Sequence, residues 1–170
     1  MVPYALVMAV DGDFSDLVAS MDSAMVVVTV ATGDERDGCL VGFHSQASIE
    51  PPIYAVWLST ANRTWRLAER ADHLAVHLLD GDQHDLAELF GGETGDDVDK
   101  LSRVEWEPGV AGVPLLRACN NRFVGRVARR LDAGGDHVCV VLDPIEVSTG
   151  RRSTPLRLRE ATDIDPGHPA

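Results

Sequence analysis

The chain has 170 residues, enough for one domain with a sizeable core, and 45% hydrophobic with 25% charged residues describes neither a disordered nor a membrane-embedded protein. A formal net charge of -12 and a pI near 4.7 exclude a nucleic-acid-binding surface, because a phosphate backbone needs a basic footprint. Lys100 is the only lysine, and Cys39, Cys119 and Cys139 stand far apart without metal-ligand spacing, as buried thiols in a reducing cytoplasm would.

The run over residues 2–10 is apolar but has no basic flank and no small-residue cleavage site, so residues 1–22 read as a retained leader with a short helix over 14–21. Residues 25–30 form a continuous, largely β-branched run, the pattern of a strand buried on both faces. A polar turn over 33–38, with Asp37-Gly38 as its strongest signal, predicts a hairpin into a strand over 39–43. Pro51-Pro52 ends the next loop, and residues 53–58 read as another buried strand. Ser59, Thr60 and Asn62 are cap formers ahead of a helix over 64–71.

Leu74, Val76 and Leu78 alternate with His73, Ala75 and His77, predicting a strand with one apolar face. Asp82 is placed to cap a second helix with Leu86, Leu89 and Phe90 on one side and Gly91-Gly92 as its stop. An exposed acidic loop over 93–99 follows. Residues 122–131 and 137–147 read as two strands joined by a glycine-rich connection, and residues 151–170 as a polar, arginine-rich tail after a domain spanning 23–150. Many short strands with few helices predict a mainly β barrel.

The segment Cys39-Leu40-Val41-Gly42-Phe43-His44-Ser45-Gln46-Ala47-Ser48-Ile49-Glu50-Pro51-Pro52, then Ala55-Val56-Trp57-Leu58, Asn62-Arg63-Thr64, Pro114-Leu115-Leu116 and Gly135-Asp136-His137 resembles, in order and spacing, the flavin reductase-like family. The resemblance covers roughly residues 25–147. It implies a homodimeric FMN-binding split β-barrel of Greek-key type, with the flavin in a groove between subunits. It also implies an NAD(P)H-dependent flavin oxidoreductase, working alone or as the reductase component of a two-component monooxygenase. FMN is the expected cofactor, with FAD or the deazaflavin F420 as alternatives. A non-catalytic flavin-binding role is the rival reading.

By this resemblance Val41, Gly42, Phe43, His44 and Ser45 border the ring and ribityl chain, and Ser59, Thr60, Asn62, Arg63 and Thr64 the phosphate. Helix-start N–H groups, hydroxyls and a guanidinium suit an anion, although Ser59 to Thr64 would serve equally as plain helix capping. Gly42 suits either a bulge or close approach to a flat ring, and Ser45 and Ser48 also read as loop hydroxyls bonding their own backbone. His137 is the candidate catalytic residue, or a hydrogen-bonded strand-start histidine. Leu40 and His44 depart from the family pattern, leaving the ring contacts open. Trp57 and Trp65 read as packing, His73 and His77 lack partners for a metal site, and Arg122, Arg126, Arg129 and Arg130 suit either a nicotinamide nucleotide or ion pairs.

Overall fold

The computed structural model describes residues 4–150 and 154–167, with side chains from residue 12 onward. Helix α1 (Tyr4–Ala19) precedes β1 (Val26–Thr32), β2 (Glu35–Val41), β3 (His44–Ser48), β4 (Ile53–Ser59), α2 (Arg63–Ala68), β5 (His73–Leu78) and α3 (His84–Gly92). The short β6 (Trp106–Pro108) and β7 (Pro114–Leu116) pair with each other, and the long hairpin β8 (Arg122–Asp132) and β9 (His137–Ser148) closes the order. The leader helix therefore begins well before the predicted residue 14, and residues 2 and 3 of the apolar run lie outside the described residues.

Seven strands form one antiparallel sheet in the order β2-β1-β5-β8-β9-β4-β3. The β1 run explains its burial on both faces. Val26, Val28 and Val30 enter a core shared with Cys39, Val41, Val56, Leu58, Trp65, Leu74, Val76 and Val140, while Val27 and Met25 enter a second core with Leu79, Phe90, Leu101 and Leu156. Each fully buried valine contributes roughly 1.5–3 kcal/mol relative to exposure. The sheet curls, so that β2 and β4, far apart in its order, line the same first core with α2.

The predicted turn over 33–38 falls at its first two residues and not at Asp37-Gly38. Thr32 pairs with Glu35 around Gly33-Asp34, where Gly33 takes a φ of +58°, the conformation a two-residue hairpin demands. Asp37 and Gly38 instead sit within β2 opposite Val30 and Thr29, and a Cβ on Gly38 would stand 2.9 Å from the Phe90 ring. Helix α3 starts after Gln83 rather than at an Asp82 cap, and it includes Gly91 and Gly92 rather than stopping before them. In β5 the alternation breaks at its end: His77 is fully buried and Leu78 is exposed.

Residues 154–167, expected as part of a solvated tail, pack on the body as a strap. Leu156 is 1% exposed and exchanges backbone hydrogen bonds with Leu79 and Met25, and Ala161 is buried. A few apolar side chains without periodicity suffice because the surface they cover already exists. Residues 151–153 and 168–170 of the expected tail lie outside the described residues. Among the described residues no helix is long and apolar enough to cross a membrane.

Candidate functional site

The end of β2, the start of β9 and the end of β4 meet at one rim of the sheet, because Ser59 pairs with His137 across the β4–β9 ladder and the Trp57 N–H donates to the Phe43 carbonyl at 2.9 Å. Between them lies a groove of about 270 Å³. Val41, Gly42, Phe43, Trp57 and Leu58 give it an apolar side, Ser59 and Asn62 a polar end, and His137 stands at its edge. Strand β2 is an edge strand, so one row of its backbone N–H and C=O groups is left free of ladder bonds along this side.

His137 is held in place from two directions. Its Nδ1 lies 2.8 Å from Asp136 Oδ1, and its ring meets Phe43 edge-on with centroids 5.2 Å apart. The carboxylate accepts, so Nδ1 carries the proton and Nε2 is the free ring nitrogen. The same hydrogen bond holds the Asp136 carboxyl below its ordinary range. The Asp136 carbonyl in turn accepts from the Thr60 N–H at 2.8 Å and the Thr60 hydroxyl at 3.1 Å.

Of the residues singled out in the sequence, Val41, Gly42, Phe43, Ser59, Asn62 and His137 thus line one groove. His44, Ser45, Arg63 and Thr64 are engaged elsewhere. His44 Nε2 lies 2.7 Å from the Ala24 carbonyl, which only accepts, so Nδ1 accepts the Tyr54 hydroxyl proton at 2.6 Å. Burial lowers the His44 pKa, opposed by the Ala24 bond. The Ser45 hydroxyl donates to the Gln46 carbonyl at 3.0 Å. Arg63 donates to the Arg36 carbonyl at 3.1 Å and lies 3.5 Å from Glu35, in a separate acidic groove. Thr64 is fully buried and donates to Asp37 Oδ2 at 3.0 Å, while its N–H is capped by the Asn62 side chain. Ser59 Oγ accepts the Ala61 N–H at 3.3 Å.

The family model described as "Flavin reductase like domain" matches residues 18–160. The chain belongs to the flavin reductase-like family. Among the curated proteins similar to it, the FMN reductase (NADH) SmoA of Agrobacterium fabrum is 30% identical over 131 residues, covering 75% of this chain and 71% of that one. The FMN reductase (NADH) RutF of Stutzerimonas stutzeri is 28% identical over 132 residues, covering 76% and 75%. In fold, the chain is similar to a flavin reductase domain protein from Arthrobacter sp. FB24, with a TM-score of 0.79 at 22% identity over 88% of this chain and 91% of that one. It is also similar to nitrilotriacetate monooxygenase component B from Mycobacterium thermoresistibile, with a TM-score of 0.76 at 20% identity over 88% and 82%.

Within this flavin reductase-like domain several residues escaped the sequence reading. Leu158, Ala161, Ile164 and Pro166 of the strap and Gly91 of α3 line the same groove. The only trace of them in the sequence is a set of isolated apolar residues in a polar stretch. Trp65 is buried in the first core, whereas Trp57 reaches the groove. Three of the four arginines of β8 are occupied: Arg122 pairs with Glu107 at 2.9 Å, Arg126 with Asp143 at 2.9 Å, and Arg130 donates to the Ala68 carbonyl at 2.9 Å, while Arg129 is exposed. All three cysteines are buried and free, and burial pushes the Cys39 and Cys119 thiols up to about 12.

Proposed function

We propose that this chain is an NADH-dependent flavin reductase that takes FMN into the groove between Gly42, Ser59 and His137. The observation carrying the reading is the convergence of Val41, Gly42, Phe43, Ser59, Asn62 and His137, drawn from three separate motifs, on one groove. FMN and NADH are the flavin and donor in the names of SmoA and RutF, which supports the same pair here. The lining fits a flavin by its donor chemistry. An apolar side and the free backbone row of β2 suit a flat ring with polar edges, and Ser59 with Asn62 at the polar end suit its ribityl and phosphate groups.

Bound FMN supplies a two-electron acceptor for the hydride of NADH. The protein's own part is position and exclusion. Phe43 and Trp57 would border the ring, and His137, its Nδ1 held by Asp136 and its ring against Phe43, stands in the same lining, where it would meet the nicotinamide. No acid–base dyad is required for hydride transfer, and His137 acts by orienting the donor.

A homodimer completes the site in this reading. At about 270 Å³ the groove falls below the roughly 300–1,000 Å³ of ordinary ligand pockets, as a half-site would. Leu78, Ile145 and Val147 are 42%, 48% and 66% exposed on the sheet, an apolar area that a second copy would cover. Barrel closure between β2 and β4 belongs to the same proposal. An oxygenase component is the proposed acceptor of the reduced flavin, in keeping with the monooxygenase component B that shares the fold.

The test is direct. Purified protein should quench FMN fluorescence on titration and oxidise NADH when FMN is added, faster than with FAD. Flavin binding without NADH oxidation would overturn turnover, and failure to bind any flavin would overturn the whole reading.

A further inference from the structure

The strap over residues 154–167 is fixed at both ends by backbone bonds. Near its start the Thr154 carbonyl accepts from Gly81 at 2.8 Å, Leu156 bonds Met25 at 2.8 Å and Leu79 at 2.9 Å, and the Leu158 N–H reaches the Ser23 carbonyl at 2.9 Å. At its far end the Gly167 N–H donates to the Gly91 carbonyl at 3.0 Å. That far contact exists only because glycines meet there. A Cβ on Gly91 would stand 2.9 Å from Leu40 and 3.3 Å from Ile164, and one on Gly167 would stand 2.8 Å from the Gly92 carbonyl. The glycine pair of α3 is thus a saddle on which the strap rests.

Between its ends the strap is held by Ala161, which is part of the second core, by Leu158 and Ile164 packed against that core, and by Arg157 and Arg159, which donate to the Asp22 carbonyl and carboxylate at 3.1 and 3.0 Å, while the exposed His84–Asp163 pair adds little in solvent. Leu158, Ala161 and Ile164 also line the groove, together with Val41, Phe43 and Trp57. Leu158 and Ile164 are only partly buried, so each keeps apolar surface to offer a ligand.

We infer that this strap is the retaining wall of the flavin groove, with Leu158 and Ile164 as positioning residues that pack on the bound ring system and keep water from it. The inference rests on the flavin-binding reading of the groove. A wall packed on the core on one side and keeping partly exposed apolar surface in the groove lining needs no rearrangement to make apolar contact with a flat ring.

Two measurements test it. First, FMN affinity is measured by fluorescence titration for the wild type, for Ile164→Ser and for Thr162→Ala, whose exposed side chain lies outside the groove lining. Ile164→Ser should bind FMN about tenfold more weakly, with Thr162→Ala unchanged and circular dichroism showing all three folded at the temperature of the titration. Second, saturating FMN should slow trypsin cleavage of the wild-type chain after Arg157 and Arg159, a readout that holds even where Ile164→Ser fails to fold. Wild-type FMN binding with unchanged Ile164→Ser affinity, or with no protection of the strap, overturns the retaining wall and leaves the flavin site standing. A wild type that binds no FMN overturns both.

Discussion

Lys100 Nζ stands 3.6 Å from Asp37 Oδ1, with the two side chains 1% and 3% exposed. The chain's single lysine thus neutralises a carboxylate inside the protein. Thr64 donates to the other oxygen of Asp37, and Lys100 also donates to the Glu93 carbonyl at 3.2 Å and lies over the Phe90 ring. This pair ties the acidic loop to β2 and to the start of α2, the elements that carry the groove. Lys100→Met leaves the Asp37 carboxylate buried without a counter-charge and should cost about 3–5 kcal/mol. Asp37→Asn in the same chain should recover part of that loss. Urea unfolding of the two single variants and the double variant measures the coupling.

His77 is buried between strands, its Nδ1 3.1 Å from the Val27 carbonyl and its Nε2 accepting the Leu116 N–H at 3.1 Å. Burial lowers its pKa to about 4, against the usual 6.5, with Arg122 adding to the shift and the Val27 bond opposing it. Below pH 6.5 the unfolded chain takes up a proton that the folded chain refuses. Stability from this group is therefore complete above that pH and falls as the pH drops toward 4. Between pH 7 and pH 5 the loss should be about 2 kcal/mol. Denaturant midpoints at the two pH values measure it, and His77→Gln should flatten the difference.

The strands were legible where local pattern decides them. The β-branched run of β1, the Pro-Pro boundary before β4 and the β8–β9 hairpin all follow from side chains adjacent in sequence. The six expected residues that line the groove were pointed to by the resemblance to the flavin reductase-like family and not by local pattern. What escaped depends on partners far along the chain. Asp37 is read as a turn residue until Lys100 arrives to neutralise it, and Thr64 is read as a phosphate ligand until Asp37 claims its hydroxyl. Gly91 and Gly92 look like a helix stop because the strap that needs them is more than a domain's half-length away in sequence. The strap itself shows no periodicity, since it covers a finished surface rather than building one.

Gly42 gives a test of the groove that spares the fold. A Cβ there would lie 3.5 Å from Met25 Sδ, an ordinary contact, so Gly42→Ala should fold with wild-type stability. Gly42→Asp instead places a carboxylate on the apolar side, next to a ligand that carries phosphate. FMN affinity should fall at least about tenfold for Gly42→Asp, while its thermal melt stays near that of Gly42→Ala. Equal FMN affinity in both variants would remove Gly42 from the flavin site.

The Asp136–His137 pair separates orientation from proton transfer. If Asp136 serves to fix the His137 ring and its tautomer, Asp136→Asn keeps a hydrogen-bond acceptor beside Nδ1 but removes the negative charge. A ring that only orients the nicotinamide tolerates that change, whereas His137→Ala removes the ring and its edge contact with Phe43. The expected result is a rise in KM for NADH of about tenfold in His137→Ala, with FMN affinity little altered, and a much smaller effect in Asp136→Asn. Steady-state kinetics across pH 5.5–8.5 decides between the two roles. A bell-shaped or sigmoidal kcat profile in the wild type that disappears in His137→Ala would make the histidine a proton donor, and a flat profile in both would keep it as a positioning group.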